Sequence, residues 1–259
     1  MILEVDIGNS RIKWRVVESD RTVSTAGCGS HRDYSQSLGD LTPAPEMIRV
    51  ASVVPDLEES FREWCLEQWG LEPKFAQVSH LCSGVTNAYV DVSQMGVDRW
   101  SAIVAAFDHH QTACLVIDVG SALTVDLLQA DGHHIGGYIV PGLSLMREAL
   151  LRHTGRVKTF SIDYHGNCSP GQSTQEAVAA GLRMMHLGLI TQALIRLLSE
   201  EDSPPVLAIT GGAAEVLLVS LKIALAEQGL SGKVSSVELN PWLVMDGLAL
   251  LLPNIEEAS

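Results

Sequence analysis

The chain has 259 residues, 46% of them apolar, and a formal net charge of −14. That length admits one large domain or two small ones with a sizeable core. The acidic balance argues against nonspecific binding to nucleic acid or anionic membranes, but not against a small anionic ligand, because local charge can differ from net charge.

Cys28, Cys65, Cys82, Cys114 and Cys168 are odd in number and no pair has CxxC spacing, which suits a reduced cytoplasmic chain. The opening Met1-Ile2-Leu3-Glu4-Val5-Asp6 lacks a basic n-region and carries acids inside its apolar stretch, so no signal peptide is expected. No run of about 20 apolar residues suggests a membrane span. The expectation is a soluble cytoplasmic protein with no nucleic-acid or membrane partner.

Strands are predicted at 2–7, 12–18 and 21–27, then a short helix at 31–39, a strand at 47–53, a helix over 56–69 and a strand at 73–78. Trp100, Ile103, Val104 and Phe107 recur with helical spacing and predict a helix over 98–109. The order then begins again. Strands are predicted at 113–118, 122–129 and 134–140, helices at 142–153 and 174–199, a strand at 205–210, and helices at 212–228 and 241–252. Three strands followed by mixed helix and strand thus occur twice, with a boundary near 108–113. Residues 154–172, rich in Gly, Asn, Ser and Pro, predict a mobile loop.

Two apolar strands run into Asp-x-Gly and a small polar residue. The first is Asp6-Ile7-Gly8-Asn9-Ser10-Arg11-Ile12-Lys13 and the second Asp118-Val119-Gly120-Ser121. Each predicts strand, tight turn, strand, with backbone amides and one carboxylate at the strand mouth, an arrangement suited to a polyphosphate and its metal ion. Alternation puts Arg11, Lys13 and Arg15 on one face of the second strand. That face is either a phosphate cradle or an ordinary solvated surface. A third turn, Thr210-Gly211-Gly212, ends a strand before a helix, where anions are favoured.

Asp98 stands at a helix start, as an N-cap or as a proton acceptor, beside Arg99, whose guanidinium suits an anionic group. The Gly136-Gly137 pair predicts close backbone approach within a strand. Ser173-Thr174-Gln175-Glu176 reads as a capping box that leaves Thr174 for a ligand. The adjacent pairs His109-His110 and His133-His134 lack a second ligand pair, so no zinc site is expected. Cys114 reads as a small apolar filler, and Trp64 and Trp69 as core or interface.

The two Asp-Gly turns and the Gly-Gly turn resemble the phosphate-1, phosphate-2 and adenosine motifs of the actin, hexokinase and Hsp70 ATPase superfamily. This resemblance implies an α/β fold of two ribonuclease-H-like (actin-like ATPase) domains, 1–110 and 111–259, with ATP in the cleft between them. The ordered set Asp6-x-Gly-Asn-Ser-x-x-Lys13, Asn87-x-Tyr89, Gly96-Val97-Asp98-Arg99-Trp100, Asp118-x-Gly-x-Ala-x-Thr-x-Asp126, Gly136-Gly-x-Ile-x-Pro-Gly142, Thr174-x-Glu-Ala177 and Thr210-Gly-Gly212 closely resembles type III pantothenate kinase.

That resemblance implies ATP-dependent phosphorylation of pantothenate, the first step of coenzyme A synthesis, by a homodimer that uses Mg²⁺ and a monovalent cation (K⁺ or NH₄⁺). Carried over by position, Asp6 to Lys13 and Ser121 contact ATP, with Asp6 near Mg²⁺ directly or through water. Tyr89, Gly96, Val97, Asp98 and Arg99 contact pantothenate, as does Thr174, from the neighbouring subunit. Asp98 accepts the proton and Asp118 holds the monovalent cation. The family usually has Thr where Ser121 stands, so the hydroxyl is kept and a methyl is lost. The rival expectations are another small-molecule kinase of the superfamily and a non-catalytic ATP-binding transcription accessory protein.

Overall fold

The computed structural model describes residues 1–30, 34–153, 162–166 and 168–253. The predicted start of the 31–39 helix and most of the first half of the 154–172 loop lie outside these residues. The chain forms two compact units, one of 1–83, 89–105 and 242–259, the other of 84–88 and 106–241. A single boundary at 110/111 would have put the last helix in the second unit.

The first unit begins with β1 (Ile2–Ile7), β2 (Arg11–Val17), β3 (Val23–Ser30), α1 (Tyr34–Leu38), β4 (Met47–Ser52), α2 (Pro55–Trp69) and β5 (Lys74–Phe75). Its five strands are ordered β3-β2-β1-β4-β5, antiparallel through β1–β2–β3 and parallel through β1–β4–β5. Alternation in β1 and β2 sends Leu3, Val5, Ile7, Ile12, Trp14 and Val16 into one core with Ile48, Val50 and Phe61. Tyr34, Phe61, Trp64 and Trp69 continue that core as edge-to-face rings, with Trp64 and Trp69 centroids 4.9 Å apart. Pro55 starts α2, where its missing N–H costs nothing, and Gly70 ends it at φ 66°, donating to the Leu66 carbonyl.

Two short strands, β6 (Leu81–Cys82) and β7 (Val85–Thr86), precede α3 (Val97–His110). The second unit then repeats the first: β8 (Cys114–Val119), β9 (Ala122–Leu128), β10 (His134–Pro141), α4 (Leu143–His153), α5 (Thr174–Leu198), β11 (Val206–Thr210), α6 (Ala214–Glu227) and β12 (Ser236–Leu239). Its sheet runs β10-β9-β8-β11-β12, with antiparallel and parallel pairings in the same places. Both halves therefore carry the expected ribonuclease-H-like sheet. Sequence periodicity gave no β12, because Ser-Val-Glu-Leu is a four-residue edge strand without a clean alternation.

The buried stripe of α5 packs into the second core through Leu182, Leu187, Ile190, Leu194 and Leu197. Among the described residues α5 alone is long and apolar enough to cross a membrane by length and composition. That test is met equally by a core helix. Cys114 is buried in β8, where loss of solvent, reinforced by Glu238, pushes its thiol up to about 12; it packs as an apolar residue.

The last helix, α7 (Leu243–Leu251), lies with the first unit, against β1 and β4. It covers the sheet face that carries Glu4, Arg15 and Arg49. Gly247 admits it closely, since a Cβ there would collide with the Ser101 backbone and hydroxyl, and Ser101 donates 2.7 Å to the Val244 carbonyl.

Candidate functional site

The turn after β1 is the expected one. Ile7 pairs with Ile12, Asp6 with Lys13, and the Gly8 N–H closes the bend on the Arg11 carbonyl at 2.9 Å. Asn9, Ser10 and Arg11 are exposed and Asp6 and Lys13 half-buried. Ile7 and Ile12 are core side chains, so only their backbone can face a ligand. Direct pairing puts Asp6 and Lys13 opposite each other on one face of the sheet.

The three cations of β2 do not share one environment. Arg15 is buried and bonds Glu4 at 2.7 Å and Asp246 of α7 at 2.7 Å. It is committed to a structural network, which leaves Arg11 and Lys13 as the cations at the turn. Two residues along, the same face is thus solvated near Lys13 and covered by α7 near Arg15.

The second turn is one residue shorter. Val119 pairs with Leu123, and the Gly120 N–H donates to Ala122 at 2.9 Å. Asp118 is half-buried at the end of β8, and Ser121 is exposed in the bend. Across the sheet Asp118 stands in register with Thr124 on β9 and Thr210 on β11, so the three share a face.

The Gly211 turn closes over Asp118. Gly211 has φ +101°, and a Cβ there would meet the Asp118 carboxylate and lie 2.5 Å from Val119 N. The structure therefore joins the second Asp-Gly turn to the Gly-Gly turn. Thr210 is 1% exposed, and its hydroxyl has no hydrogen-bond partner among the described residues. Sequence reading gave it no role; its only signal was a hydroxyl closing an otherwise apolar strand.

The Gly-Gly pair of β10 behaves differently from expectation. Gly136 sits at φ +132° in a bulge, and nothing lies within 4 Å of where its Cβ would be. Backbone conformation, not close approach, calls for glycine there. Close approach occurs at Gly142, where a Cβ would stand 2.7 Å from the Ser121 carbonyl and 2.8 Å from that of Gly120.

α3 begins at Val97, so Asp98 is inside the first turn and Gly96 takes the cap position, its carbonyl accepting from Trp100 N–H at 3.1 Å. The cap reading of Asp98 is thereby corrected: the cap lies two residues earlier, at Gly96. Its Oδ1 accepts from Arg99 N–H at 2.7 Å, and a Cβ on Gly96 would lie 2.5 Å from that oxygen. Glycine is thus what lets the carboxylate fold back over the helix entrance.

Arg99 is 6% exposed and donates 3.0 Å to the Tyr89 hydroxyl, with its guanidinium 5.8 Å from the Tyr89 ring centroid. Three of the residues assigned to substrate by resemblance, Tyr89, Asp98 and Arg99, thus form one cluster. Val97 is buried beneath it.

Thr174 is the exposed first residue of α5. Ser173 and Glu176 complete the capping box, Glu176 N–H to Ser173 Oγ at 3.3 Å and Ser173 N–H to Glu176 Oε2 at 3.1 Å.

A family model described as type III pantothenate kinase matches residues 2–196. Type III pantothenate kinases of Pseudomonas aeruginosa and Ectopseudomonas mendocina are 36% and 35% identical over 259 residues, covering 98% of this chain and 99% of each relative. Among solved structures, a protein of Campylobacter jejuni assigned to the Baf family of transcriptional activators is 20% identical with TM-score 0.57, over 99% of this chain and 98% of that one. Lmo2764 of Listeria monocytogenes, assigned as an N-acetylmannosamine kinase, is 14% identical with TM-score 0.53, over 100% and 99%. These two likenesses show the fold alone. With the family model spanning most of the sequence and full-length relatives above a third identical, the chain belongs to the type III pantothenate kinase family.

Proposed function

We propose that this protein transfers the γ-phosphoryl group of ATP to the primary hydroxyl of pantothenate, giving 4′-phosphopantothenate, the first step of coenzyme A biosynthesis. The observation that carries the reading is the entrance of α3, where Asp98, Arg99 and Tyr89 form a carboxylate, guanidinium and phenol cluster. Asp98 accepts the hydroxyl proton as the oxygen attacks phosphorus, while Gly96, Val97, Arg99 and Tyr89 hold the substrate. Thr174 contributes a further contact from the neighbouring subunit.

On the nucleotide side, Asp6 to Lys13 and Ser121 contact ATP. Amides of the turns and the Lys13 ammonium meet the charge that develops on the phosphoryl oxygens. The residues fit a divalent ion of the Mg²⁺ kind. No group of three or more His, Cys, Asp or Glu converges among the described residues, and Mg²⁺ in such sites takes one or two carboxylates plus phosphates and water. Asp6 would hold it, and bound Mg²⁺ supplies neutralisation of phosphate charge. A monovalent cation fits Asp118, because the buried Thr210 hydroxyl on the same sheet face offers a second oxygen.

The deciding experiment is ADP release from purified protein with Mg²⁺, with and without pantothenate and with K⁺, NH₄⁺ or neither. Pantothenate-dependent release that needs K⁺ or NH₄⁺ is expected. No release under any cation, or release supported equally by a panel of sugars, overturns the assignment. A Lys13→Ala variant should raise the KM for ATP by about tenfold, the value of one charge-assisted bond, with the KM for pantothenate within about twofold of wild type. An unchanged ATP dependence would return the basic face to a solvated surface.

A homodimer is supported by exposed apolar side chains on the second unit, Tyr138 and Ile139 of edge strand β10, Leu145 of α4, and Met184 and Met185 of α5. Light scattering should give a dimer for wild type and a monomer for a Met184→Glu, Met185→Glu double variant. A wild-type monomer at micromolar concentration would remove the dimer and with it the placement of Thr174. Five free thiols suit a reducing cytoplasm.

A further inference from the structure

His186 lies inside the apolar run of α5 and is 1% exposed, yet both its ring nitrogens are engaged. Nε2 stands 2.9 Å from the Pro141 carbonyl, and Nδ1 stands 2.5 Å from the Tyr164 hydroxyl. A carbonyl can only accept, so Nε2 carries the proton and Nδ1 accepts from the phenol of Tyr164. Tyr164 is buried as well, and its own carbonyl accepts from the Ser220 hydroxyl of α6. Burial holds the imidazole below its ordinary pKa, countered in part by the bond to Pro141, so the neutral ring that this pattern needs is the favoured form.

The peptide unit between Pro141 and Gly142 is gripped from both sides. Its carbonyl accepts from His186, while its N–H donates to the Ser121 carbonyl at 2.9 Å. A trans peptide is planar with C=O and N–H opposed, so the plane cannot turn without breaking both bonds. The fit is also steric, since Gly142 has no room for a Cβ against the carbonyls of Gly120 and Ser121. The bend carrying Ser121 therefore rests on a peptide whose orientation is set from α5.

We infer that His186, oriented by Tyr164, is a positioning residue for nucleotide binding: through the Pro141–Gly142 peptide it fixes the turn that presents Ser121. Neither residue reaches the turn itself. The inference rests on the reading of Ser121 as an ATP contact.

The test compares His186→Leu, His186→Gln, Tyr164→Phe and Ser121→Ala by steady-state kinetics and by direct titration with a non-hydrolysable ATP analogue. His186→Leu should raise both the KM for ATP and the analogue Kd by about tenfold, the worth of one lost positioning bond, and leave the KM for pantothenate within about twofold. His186→Gln, which keeps a donor for the Pro141 carbonyl, should recover most of that loss. Tyr164→Phe should give a smaller rise in the same direction.

Equal loss for Leu and Gln, or a fall in kcat or in thermal stability with unchanged analogue affinity, overturns the positioning role. If His186→Leu does not fold, unchanged analogue affinity in Tyr164→Phe overturns it too. Ser121→Ala separates the two layers. Unchanged affinity there removes the Ser121 assignment and the inference built on it. Weakened affinity in Ser121→Ala with none in the His186 and Tyr164 variants removes the inference alone.

Discussion

An Asp98→Asn variant folds, binds ATP as wild type does, and turns over about 10²-fold or more slowly, the range expected when a positioned proton acceptor is lost. The asparagine amide has the shape of the carboxylate and keeps an oxygen for the Arg99 N–H that Oδ1 now accepts at 2.7 Å. What it loses is the ability to take a proton, and a charge at a helix N-terminus worth about 0.3–1 kcal/mol. The signature is therefore a fall in kcat with little change in thermal midpoint or in the KM for ATP. Gly96→Ala should do the same by another route, because its Cβ would stand 2.5 Å from the Asp98 oxygen and push the carboxylate out of place. Near-normal turnover in Asp98→Asn would remove the residue from the role of proton acceptor and leave it as a first-turn carboxylate of α3.

Much of this site was legible because it is local. Asp6 to Lys13 and Asp118 to Ser121 announce their turns through a β-branched strand, a glycine and a small polar residue, and the structure closes both bends with a glycine N–H. Repetition of the motif also gave the repeated topology, since like strand orders need like connections. What stayed hidden was whatever depends on partners distant in sequence. Alternation correctly put Arg11, Lys13 and Arg15 on one face. It could not reveal that Asp246, 231 residues away, takes Arg15 for itself. The available signal was Glu4, an acid inside an apolar strand, and Asp246, an acid inside an apolar helix.

His186 was passed over for a similar reason. Within an apolar helix a lone imidazole reads as a core residue, and its engagement with Pro141 and Tyr164 arises only when three segments meet. The cap was placed two residues late, at Asp98, because glycine is also an accepted cap residue and Gly96 takes that position. The composition of the 154–172 stretch gave no hint that Tyr164 would be buried.

Glu4→Ala should be the most destabilising single change in the first unit, costing about 3–5 kcal/mol, a large share of what holds a domain folded. Glu4 is 1% exposed on the central strand β1, in register with Arg15 on β2 and Arg49 on β4, and bonds both guanidiniums, at 2.7 Å and 3.0 Å. Removing it leaves two guanidiniums beneath α7 without that carboxylate. The loss should appear in denaturant unfolding as a lower midpoint and in heating as a fall on the order of 10 °C. Asp246→Asn should cost far less, because that carboxylate is 21% exposed and water can take its place. Breaking a buried network differs from removing it. A Glu4→Met, Arg15→Met, Arg49→Met triple variant takes every buried charge out of this cluster and should regain much of the stability that Glu4→Ala loses. If the triple variant is less stable than the single one, the three residues contribute through specific bonding that apolar packing cannot replace. If Glu4→Ala shifts the midpoint by less than about 1 kcal/mol, the guanidiniums find other partners or water, and the network has no part in fixing α7 to its sheet.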